Sequence, residues 1–590
     1  MGSSELWDQI SQYSVPRIAF KKFVSDFVEK NGRFPRIAVD GYLWLFECGY
    51  FDVPKNKPKT LLNWLRKLKE MLHLNCFIVV VFDGTFKFDG KRQKRRNAAT
   101  LWESYWLMSS MKDLNHDHLC YVDSYILKCC QILNIEVVNA PGEGEAQCAY
   151  LQNTGEVDFV LSNDADVLSF GARKVLKNYS KHGWDDLPNS SNSPSKSKQN
   201  ERFVTYVDLE SIPDWDRNRF ILFNLLVGND YNIGVKNLGG KRAAILAKIR
   251  DPDVSGKLDS VLSGASFNGK EEVQQKWDSY GKDILQLIKE KGNTLFGVNL
   301  KSMNGLSQLK DWPDVTVGLF YKDAIVHRSK LRNNSTKIEL NIEALKNLMK
   351  TNGIIKFVAD FEKWLHEYLH HCFIVSFIWQ HPDPFNGSYR LTEYRNVSLC
   401  DNVHRYKEVC VRYKSFLPIK SHQGNGEPFK TQEKVSANNS RSMQGSPTKS
   451  VSKSPTKSTI LRSKYPHYVW LPSGVIPKPL LNHLDKELSG EEARQAMLRS
   501  SRKTSPNKTR GRSLSPQKST LDRFLNKRQH TESPVKNLTF ALLQEQSSDH
   551  FMNVPPSHET APNKFTLEHI PHINLVDTDS DSESYSQEDT

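Results

Sequence analysis

PGEGEAQCAYLQNTGEVDFVLSNDADVL, residues 141–168, places four carboxylates, Glu143, Glu145, Asp164 and Asp166, at two consecutive element junctions. Gly142 and Gly144 permit a tight backbone at the mouth of a helix, whose amide dipoles favour negative charge in its first turn. Val157, Phe159, Val160 and Leu161 suit a short buried parallel strand, which delivers Asp164 and Asp166 into a loop. Open α/β sheets put their sites at such strand ends. Two carboxylates about 4 Å apart repel by roughly 4 kcal/mol at an effective dielectric of 20, so a cluster calls for a cation. Oxygen donors suit Mg²⁺ or Mn²⁺, and paired ions activate water for in-line attack at phosphate. Any one of these acids alone reads better as a solvated cap; two pairs at successive junctions do not.

Upstream, RIAVD (36–40) reads as a strand ending in Asp40, and FIVVVF (77–82) as a stronger one ending in Asp83. Leu61, Leu65, Leu68 and Leu72 keep helical spacing between them, making a strand–helix–strand unit with a parallel crossover. Ile126, Cys129, Cys130 and Leu133 share a helix face, and residues 135–138 form the next strand. Four strands thus deliver acids to one end of a parallel sheet. FDG recurs at 88–90, but Asp89 has no buried strand behind it and is discounted.

After Asp83 the chain is basic, with Lys91, Arg92, Lys94, Arg95 and Arg96, and then aromatic, with Trp102, Tyr105 and Trp106. The bases suit a scissile phosphate and the aromatics unpaired bases, although core packing explains the tryptophans at least as well. Residues 182–199 read as a mobile insertion between a strand and its continuation at 203–209. Residues 220–227 close a helix that runs into GNDY (228–231), and GVKNLGGKRAAILAKI (234–249) supplies a glycine turn and a second helix. Backbone amides of such an element hold duplex phosphates without reading sequence, and Asp230 joins the acids from this side.

Of the 590 residues, about the first 420 read as globular. The nine cysteines lack CxxC pairs and zinc spacing, as expected of buried thiols in a reducing compartment. No signal core and no apolar run of about 18 residues occurs, so neither secretion nor a membrane partner is expected. The net charge of +14 is uneven: residues 420–536 hold 23 Lys/Arg against 8 Asp/Glu, and residues 537–590 hold 1 against 10. A basic tail with an acidic end suits nucleic acid and its regulation.

Asp40, Asp83, Glu143-Gly-Glu145, Asp164-Ala-Asp166 and Asp230 with its glycine turn resemble the flap endonuclease and XPG superfamily of structure-specific nucleases. Within it, IAVDGYLWLFECG (37–49) and GEGEAQ with DFVLSNDAD are most similar to Holliday junction resolvases. The similarity is dense over about residues 1–300 and weaker to about 490.

The resemblance implies an α/β fold: a PIN-like parallel-sheet nuclease core with a helix–two-turns–helix DNA element, a small chromodomain-like module and a disordered tail. Two Mg²⁺ ions, with Mn²⁺ able to substitute, would be held by Asp83, Glu143, Glu145, Asp164 and Asp166, with Asp40 and Asp230 beside them, all seven counted as catalytic. Products would carry 5′-phosphate and 3′-hydroxyl ends. Gly2 matches the family's Met-Gly start. Gly234, Gly239, Gly240, Lys241 and Arg242 would hold duplex DNA, with a monovalent cation such as K⁺ in the turn. Asn237 stands where glycine is usual, but Asn tolerates the left-handed conformation. The phosphate-gripping base among Lys91, Arg92, Arg95 and Arg96 stays open.

The expected layout is 1–110 and 120–305 for the nuclease, with the helix–two-turns–helix at 228–250 and the insertion at 182–200. Residues 306–419 plus 464–490 would form a helical extension and the chromodomain-like module, with 342–369 helical and 373–416 in antiparallel strands. A private extension of the core is the rival reading. Residues 420–463 would be a disordered insertion and 491–590 a disordered regulatory tail.

Ser-Pro-x-Lys occurs at Ser446, Ser454, Ser505, Ser515 and Ser533, and at Ser193 in the core insertion, a pattern favoured by proline-directed cell-cycle kinases. Five phosphates of about −1.5 to −2 each would offset most of the tail's charge and weaken DNA binding. Basic clusters at 499–512 and 527–528 suit nuclear import, and their masking suits cycling through the cytoplasm. Ile573, Leu575 and Val576 with the acids after them resemble a SUMO-interacting strand. Residues 521–525 resemble a sliding-clamp box, against which Lys518 stands where glutamine is expected.

The expected activity is symmetric resolution of Holliday junctions by a homodimer, in recombination and DNA repair. A general 5′-flap endonuclease is the alternative in the same class. A non-catalytic PIN-like scaffold is the alternative in another, and the seven acids weigh against it.

Overall fold

The computed structural model describes residues 4–50, 53–85, 98–110, 124–180, 201–250, 252–297, 312–328, 330–331, 340–398, 405–417 and 457–503. Gly2, Lys91, Arg92, Arg95, Arg96, Ser193, Ser446, Ser454, Ser505, Ser515, Ser533, Ile573, Leu575 and Val576 lie outside them. So do the 182–199 insertion and the clamp-like stretch.

Seven strands make one sheet: β1 (Val15–Ala19), β2 (Arg36–Asp40), β3 (Phe77–Phe82), β4 (Glu136–Asn139), β5 (Phe159–Leu161), β6 (Lys174–Ser180) and β7 (Phe203–Asp208), in the order β1-β7-β6-β5-β2-β3-β4. β4, β3, β2, β5 and β6 run parallel, because helices carry the chain back between them. The β branches and apolar side chains of FIVVVF suit a strand covered on both faces. Period-two alternation sends Ala38, Val79, Val81 and Val160 into one core, and Ile37, Val39, Val80, Phe82 and Leu161 into the other. One sheet therefore unites the 1–110 and 120–305 regions.

The expected strand continuation at 203–209 is corrected. β7 pairs antiparallel with β6, and β1 antiparallel with β7, so residues 182–199 join the arms of a hairpin. The local pattern of a strand resumed after a gap is the same for a continuing and a returning chain. Trp102 and Tyr105 are buried in the first core, as packing predicts, and are not free to stack on bases.

Helix Ile342–Thr351 and helix Phe361–Gln380 form the extension. The second overturns the expected strand character of 373–380: FIVSFIWQ is largely apolar and in part β-branched, but it lies against helix Val53–His73 and is apolar nearly all round because it is covered nearly all round. A second, antiparallel sheet follows, β8 (Tyr389–Ser398), β9 (Arg405–Tyr413) and β10 (His467–Pro472), in the order β10-β9-β8. Helices Lys457–Lys464 and Lys478–Lys503 carry ordered chain before residue 464 and beyond residue 490, limits that the polar composition had suggested. No described helix is long and apolar enough to cross a membrane.

The packing of helix Phe361–Gln380 on helix Val53–His73 buries His73, whose Nδ1 lies 2.5 Å from the carbonyl oxygen of His371. Burial pushes the His73 imidazole down to about 3 and that of His371 to about 4. Unfolded imidazoles titrate near 6.5, so as pH falls the unfolded chain takes up protons first. The stability these rings contribute is complete above 6.5 and is lost as pH falls from about 6.5 toward those folded values. At pH 5 the loss is roughly 2 kcal/mol for a fully buried ring. His73→Gln is expected to lose that much less stability than the native chain between pH 7 and pH 5. Thermal unfolding at the two pH values checks it, and the paired comparison cancels the opposite contribution of acids such as Asp40.

Candidate active site

β5, β2, β3 and β4 stand side by side and end at one edge of the sheet. Asp40 is the last residue of β2 and pairs in register with Val81, which leaves Asp83 just past the end of β3. Glu143 is the N-cap of helix Gly144–Asn153 and Glu145 lies in its first turn. Asp83, Glu143 and Glu145 each offer a carboxylate oxygen, all within 4.8 Å of one another. The Gly144 amide donates to Asp83 Oδ1 at 2.7 Å, so the helix start that carries the two glutamates also holds the aspartate between them.

Asp40 caps helix Gly41–Glu47 through the Leu43 amide (3.0 Å) and accepts from Ser162 Oγ (3.2 Å). Burial, and then the charges of Asp83 and Asp164, push its carboxyl up to about 7. Asp164 takes the Asp166 amide at 3.0 Å, which tightens the DAD turn. Asp166 Oδ1 accepts from Asn224 Nδ2 (3.0 Å) and from the Tyr321 hydroxyl (3.2 Å). Asn229 Nδ2 donates back to that hydroxyl at 2.7 Å, linking Asp166 to the loop that carries Asp230. Burial and the charges of Asp166 and Asp164, with Asp230 adding, push the Tyr321 hydroxyl well up.

All seven predicted acids therefore lie around one edge, three of them as a tight cluster. The neighbouring groups register their combined field: Cys148 is pushed up by burial and then by Asp40, Glu145 and Asp83, and Tyr231 by burial and then by Glu143, Asp166 and Glu145. An all-oxygen donor set at this spacing, in such a negative field, fits a hard divalent cation.

Ser162, Asn224, Asn229 and Tyr321 were not foreseen. Asn224 is a lone polar residue in the apolar run FILFNLLV, a signal that was there to be used; Tyr321 in VGLFYK gave none. Tyr321→Phe is expected to raise the divalent-ion concentration needed to half-saturate this edge by about 10-fold or more, the cost of losing an outer hydrogen bond where Asp166 helps to hold the ion. Thermal unfolding followed against ion concentration checks it.

In the glycine turn, Gly228 (φ 92°) and Gly234 (φ 76°) take left-handed backbone. A Cβ at Gly228 would meet the Ile233 carbonyl carbon at 2.6 Å. Asn237 adopts φ 69°, the conformation expected of an asparagine in place of glycine. Gly234 is buried, while Gly239 and Lys241 are exposed. The Gly240 amide donates to Glu5 Oε2 at 2.6 Å, and Arg242 Nη1 donates to the Asn237 carbonyl at 2.9 Å. Helix Ser4–Ile10, which carries Glu5, also reaches the acid edge, where Trp7 Nε1 donates to the Asn163 carbonyl at 2.9 Å.

A parallel sheet that collects acids from four strand ends is the arrangement expected of a nuclease that cleaves phosphodiesters with a divalent ion. The XPG I-region family model matches residues 134–230. The Holliday junction resolvase YEN1 of Saccharomyces cerevisiae is 30% identical over 91% of this chain and 78% of its own length. Flap endonuclease 1 of Archaeoglobus fulgidus is 31% identical over 35% of this chain and 67% of its own. Among solved structures, the Holliday junction-resolving enzyme GEN1 with product DNA and Mg²⁺ superposes with a TM-score of 0.53 at 17% identity, covering 82% of this chain and 99% of that one. The chain belongs to the XPG family of structure-specific endonucleases, among its Holliday junction resolvases.

Proposed function

We propose that this chain resolves Holliday junctions by paired, symmetric nicks, acting as a homodimer on four-way DNA in recombination and repair. The observation that carries the reading is the convergence of Asp83, Glu143 and Glu145 at one sheet edge, in a chain 30% identical to a resolvase along most of its length. Asp83, Glu143, Glu145, Asp164 and Asp166 would hold two Mg²⁺ ions, for which Mn²⁺ substitutes, with Asp40 and Asp230 beside them. Mg²⁺ bound there supplies charge neutralisation at the scissile phosphate and a water acidified for attack.

The chain's own groups prepare that step. The Gly144 amide fixes Asp83, Tyr321 and Asn224 fix Asp166, and Ser162 fixes Asp40, so the acids stay in place when DNA arrives. Attack in line with the 3′ oxygen leaves a 5′-phosphate and a 3′-hydroxyl. The turn around Gly234, Gly239, Gly240, Lys241 and Arg242 would seat duplex DNA with K⁺ bound, Gly240 exchanging Glu5 for phosphate. Gly2 and one of Lys91, Arg92, Arg95 and Arg96 would reach the scissile strand.

The small sheet with helix Lys478–Lys503 would be the chromodomain-like module, an added DNA contact. Its cation–aromatic pairs support this: Lys407 lies 3.6 Å from the Tyr394 ring centre, Arg395 4.3 Å from that of Trp470 and Arg412 5.4 Å from that of Tyr468. A cell-cycle kinase acting at Ser193, Ser446, Ser454, Ser505, Ser515 and Ser533 would weaken DNA binding and hold the enzyme out of the nucleus. Ile573, Leu575 and Val576 would take SUMO.

The test is a plasmid-borne cruciform with purified full-length protein and Mg²⁺. Linear product, formed without accumulation of nicked circles, is expected. Nicked circles alone, with efficient cutting of 5′ flaps, would support the flap-endonuclease reading, for which the archaeal similarity is weak support, and no cutting of either substrate would support the scaffold.

A further inference from the structure

Arg217 opens helix Arg217–Val227 and sends its guanidinium to the ends of two other helices. Its Nε donates to the carbonyl of Ser169, the last residue of helix Asp166–Ser169, at 3.2 Å. Its Nη2 donates at 2.7 and 2.9 Å to the carbonyls of Tyr321 and Lys322, which close helix Val315–Lys322. The last carbonyls of a helix lack partners within it, so a cation with several fixed donors is well matched to them. Gly171 (φ 102°) makes room for the side chain: a Cβ there would meet Arg217 Cδ and Nε, each at 3.2 Å. Burial, outweighing the nearby charges of Asp259 and Asp323, holds the guanidinium below the usual arginine range, so this charge is kept inside at a cost in solvation.

The three helix ends meet at Asp166. Asn224 lies two turns beyond Arg217 on the same helix and therefore on the same face, and its Nδ2 donates both to Asp166 Oδ1 (3.0 Å) and to Ser169 Oγ (2.8 Å). The second donor to Asp166 Oδ1, the Tyr321 hydroxyl, comes from another helix, and Arg217 ties that helix to the first through the carbonyl of Tyr321 itself. A tyrosine has only two side-chain torsions, so the place of its backbone largely decides the place of its hydroxyl. The hydroxyl bond is 3.2 Å long, so a small withdrawal of the helix breaks it.

We propose that Arg217 is a positioning residue for divalent-ion binding at the acid edge: it holds the Tyr321 hydroxyl against Asp166 by clamping helix Val315–Lys322 to the helix that carries Asn224. The inference rests on the reading of that edge as a metal centre and adds a residue that touches neither an acid of the cluster nor DNA-holding backbone. Lysine cannot take its place, because a single ammonium lacks the planar fork that serves carbonyls on two helices at once.

The test follows thermal unfolding of the full-length protein against Mg²⁺ concentration in the native chain, Arg217→Lys, Tyr321→Phe and the double variant. Arg217→Lys is expected to raise the half-saturating Mg²⁺ concentration by about 10-fold or more, as Tyr321→Phe does. Arg217→Gln, which can donate to one carbonyl but not to both helices, should behave alike if the lysine variant does not fold. In the Tyr321→Phe background the arginine change should raise the Mg²⁺ requirement no further than about twofold, since the hydroxyl it positions is already gone, while still lowering the unfolding temperature without Mg²⁺. An arginine variant that is less stable yet keeps the native Mg²⁺ requirement, or effects of the two single variants that multiply in the double one, overturns the proposal alone. A native chain whose unfolding temperature ignores Mg²⁺ overturns the metal centre and this proposal together.

Discussion

Glu143→Ala with Glu145→Ala is expected to lower junction cleavage by about 10³-fold or more, since metal-borne charge stabilisation supplies several kcal/mol and each ~1.36 kcal/mol is tenfold. The two side chains leave one helical turn and supply two of the three clustered carboxylates, so Asp83 alone remains beside the Gly144 amide. The fold should survive. The substitutions remove mutual repulsion from a crowded edge, and the Glu143 side chain makes no capping hydrogen bond that alanine would lose. Gel-shift affinity for a four-way junction in EDTA should stay within a few-fold of native, and the unfolding temperature should not drop. Cleavage persisting within tenfold of native would dismantle the assignment of the metal centre to this edge.

Gly84→Ala is expected to be nearly as damaging by a different route. The Gly84 amide donates to the Gly142 carbonyl at 2.8 Å, which binds the end of β3 to the approach to the glutamates. A Cβ at residue 84 would overlap the carbonyl oxygens of both Ala140 and Pro141, and backbone cannot rotate aside as a side chain can. The two loops must part, and Asp83 moves away from Glu143 and Glu145. A displacement of about 1 Å in such a site costs roughly 10²-fold in rate, and the overpacking about 1–3 kcal/mol in stability. Turnover measured with thermal unfolding checks it. Gly155→Ala, at a turn where φ 76° costs stability but no atom lies within 4 Å of the Cβ position, is the comparison that should lower the unfolding temperature yet leave turnover unchanged.

The acid edge was legible in the sequence because its logic is local. β3 and β5 are unbroken apolar runs with acids just beyond them, so FIVVVF-Asp83 and FVL with Asp164 and Asp166 declare both the strand and the end that matters. What holds those acids was not legible. Tyr321 sits in an apolar helix whose sequence advertises only burial, Asn224 stands out only as the lone polar residue of another, and their contacts with Asp166 exist only once residues 155 and 58 positions away have been folded against it. The same limit hid the helical state of residues 373–380. Ile374, Val375 and Ile378 favour strands taken singly, and the covering that makes a helix of them comes from helix Val53–His73, far earlier in the chain. Directions at the sheet edge were lost for a related reason, since the β6–β7 reversal lies across the 182–199 insertion.

The strand order bears on how this enzyme comes into being during synthesis. β2 must accept β3 on one side and β5 on the other, and β5 is still unmade when the first two carboxylate-bearing strands have left the ribosome. Tyr321, which reaches Asp166, arrives later still. A nascent or proteolytically shortened chain ending before helix Val315–Lys322 thus carries all seven acids yet lacks the Tyr321 brace for Asp166. Such fragments keep the Asn224 hydrogen bond to Asp166 but lose that of Tyr321, so they should need about 10-fold more divalent ion to act than the whole chain.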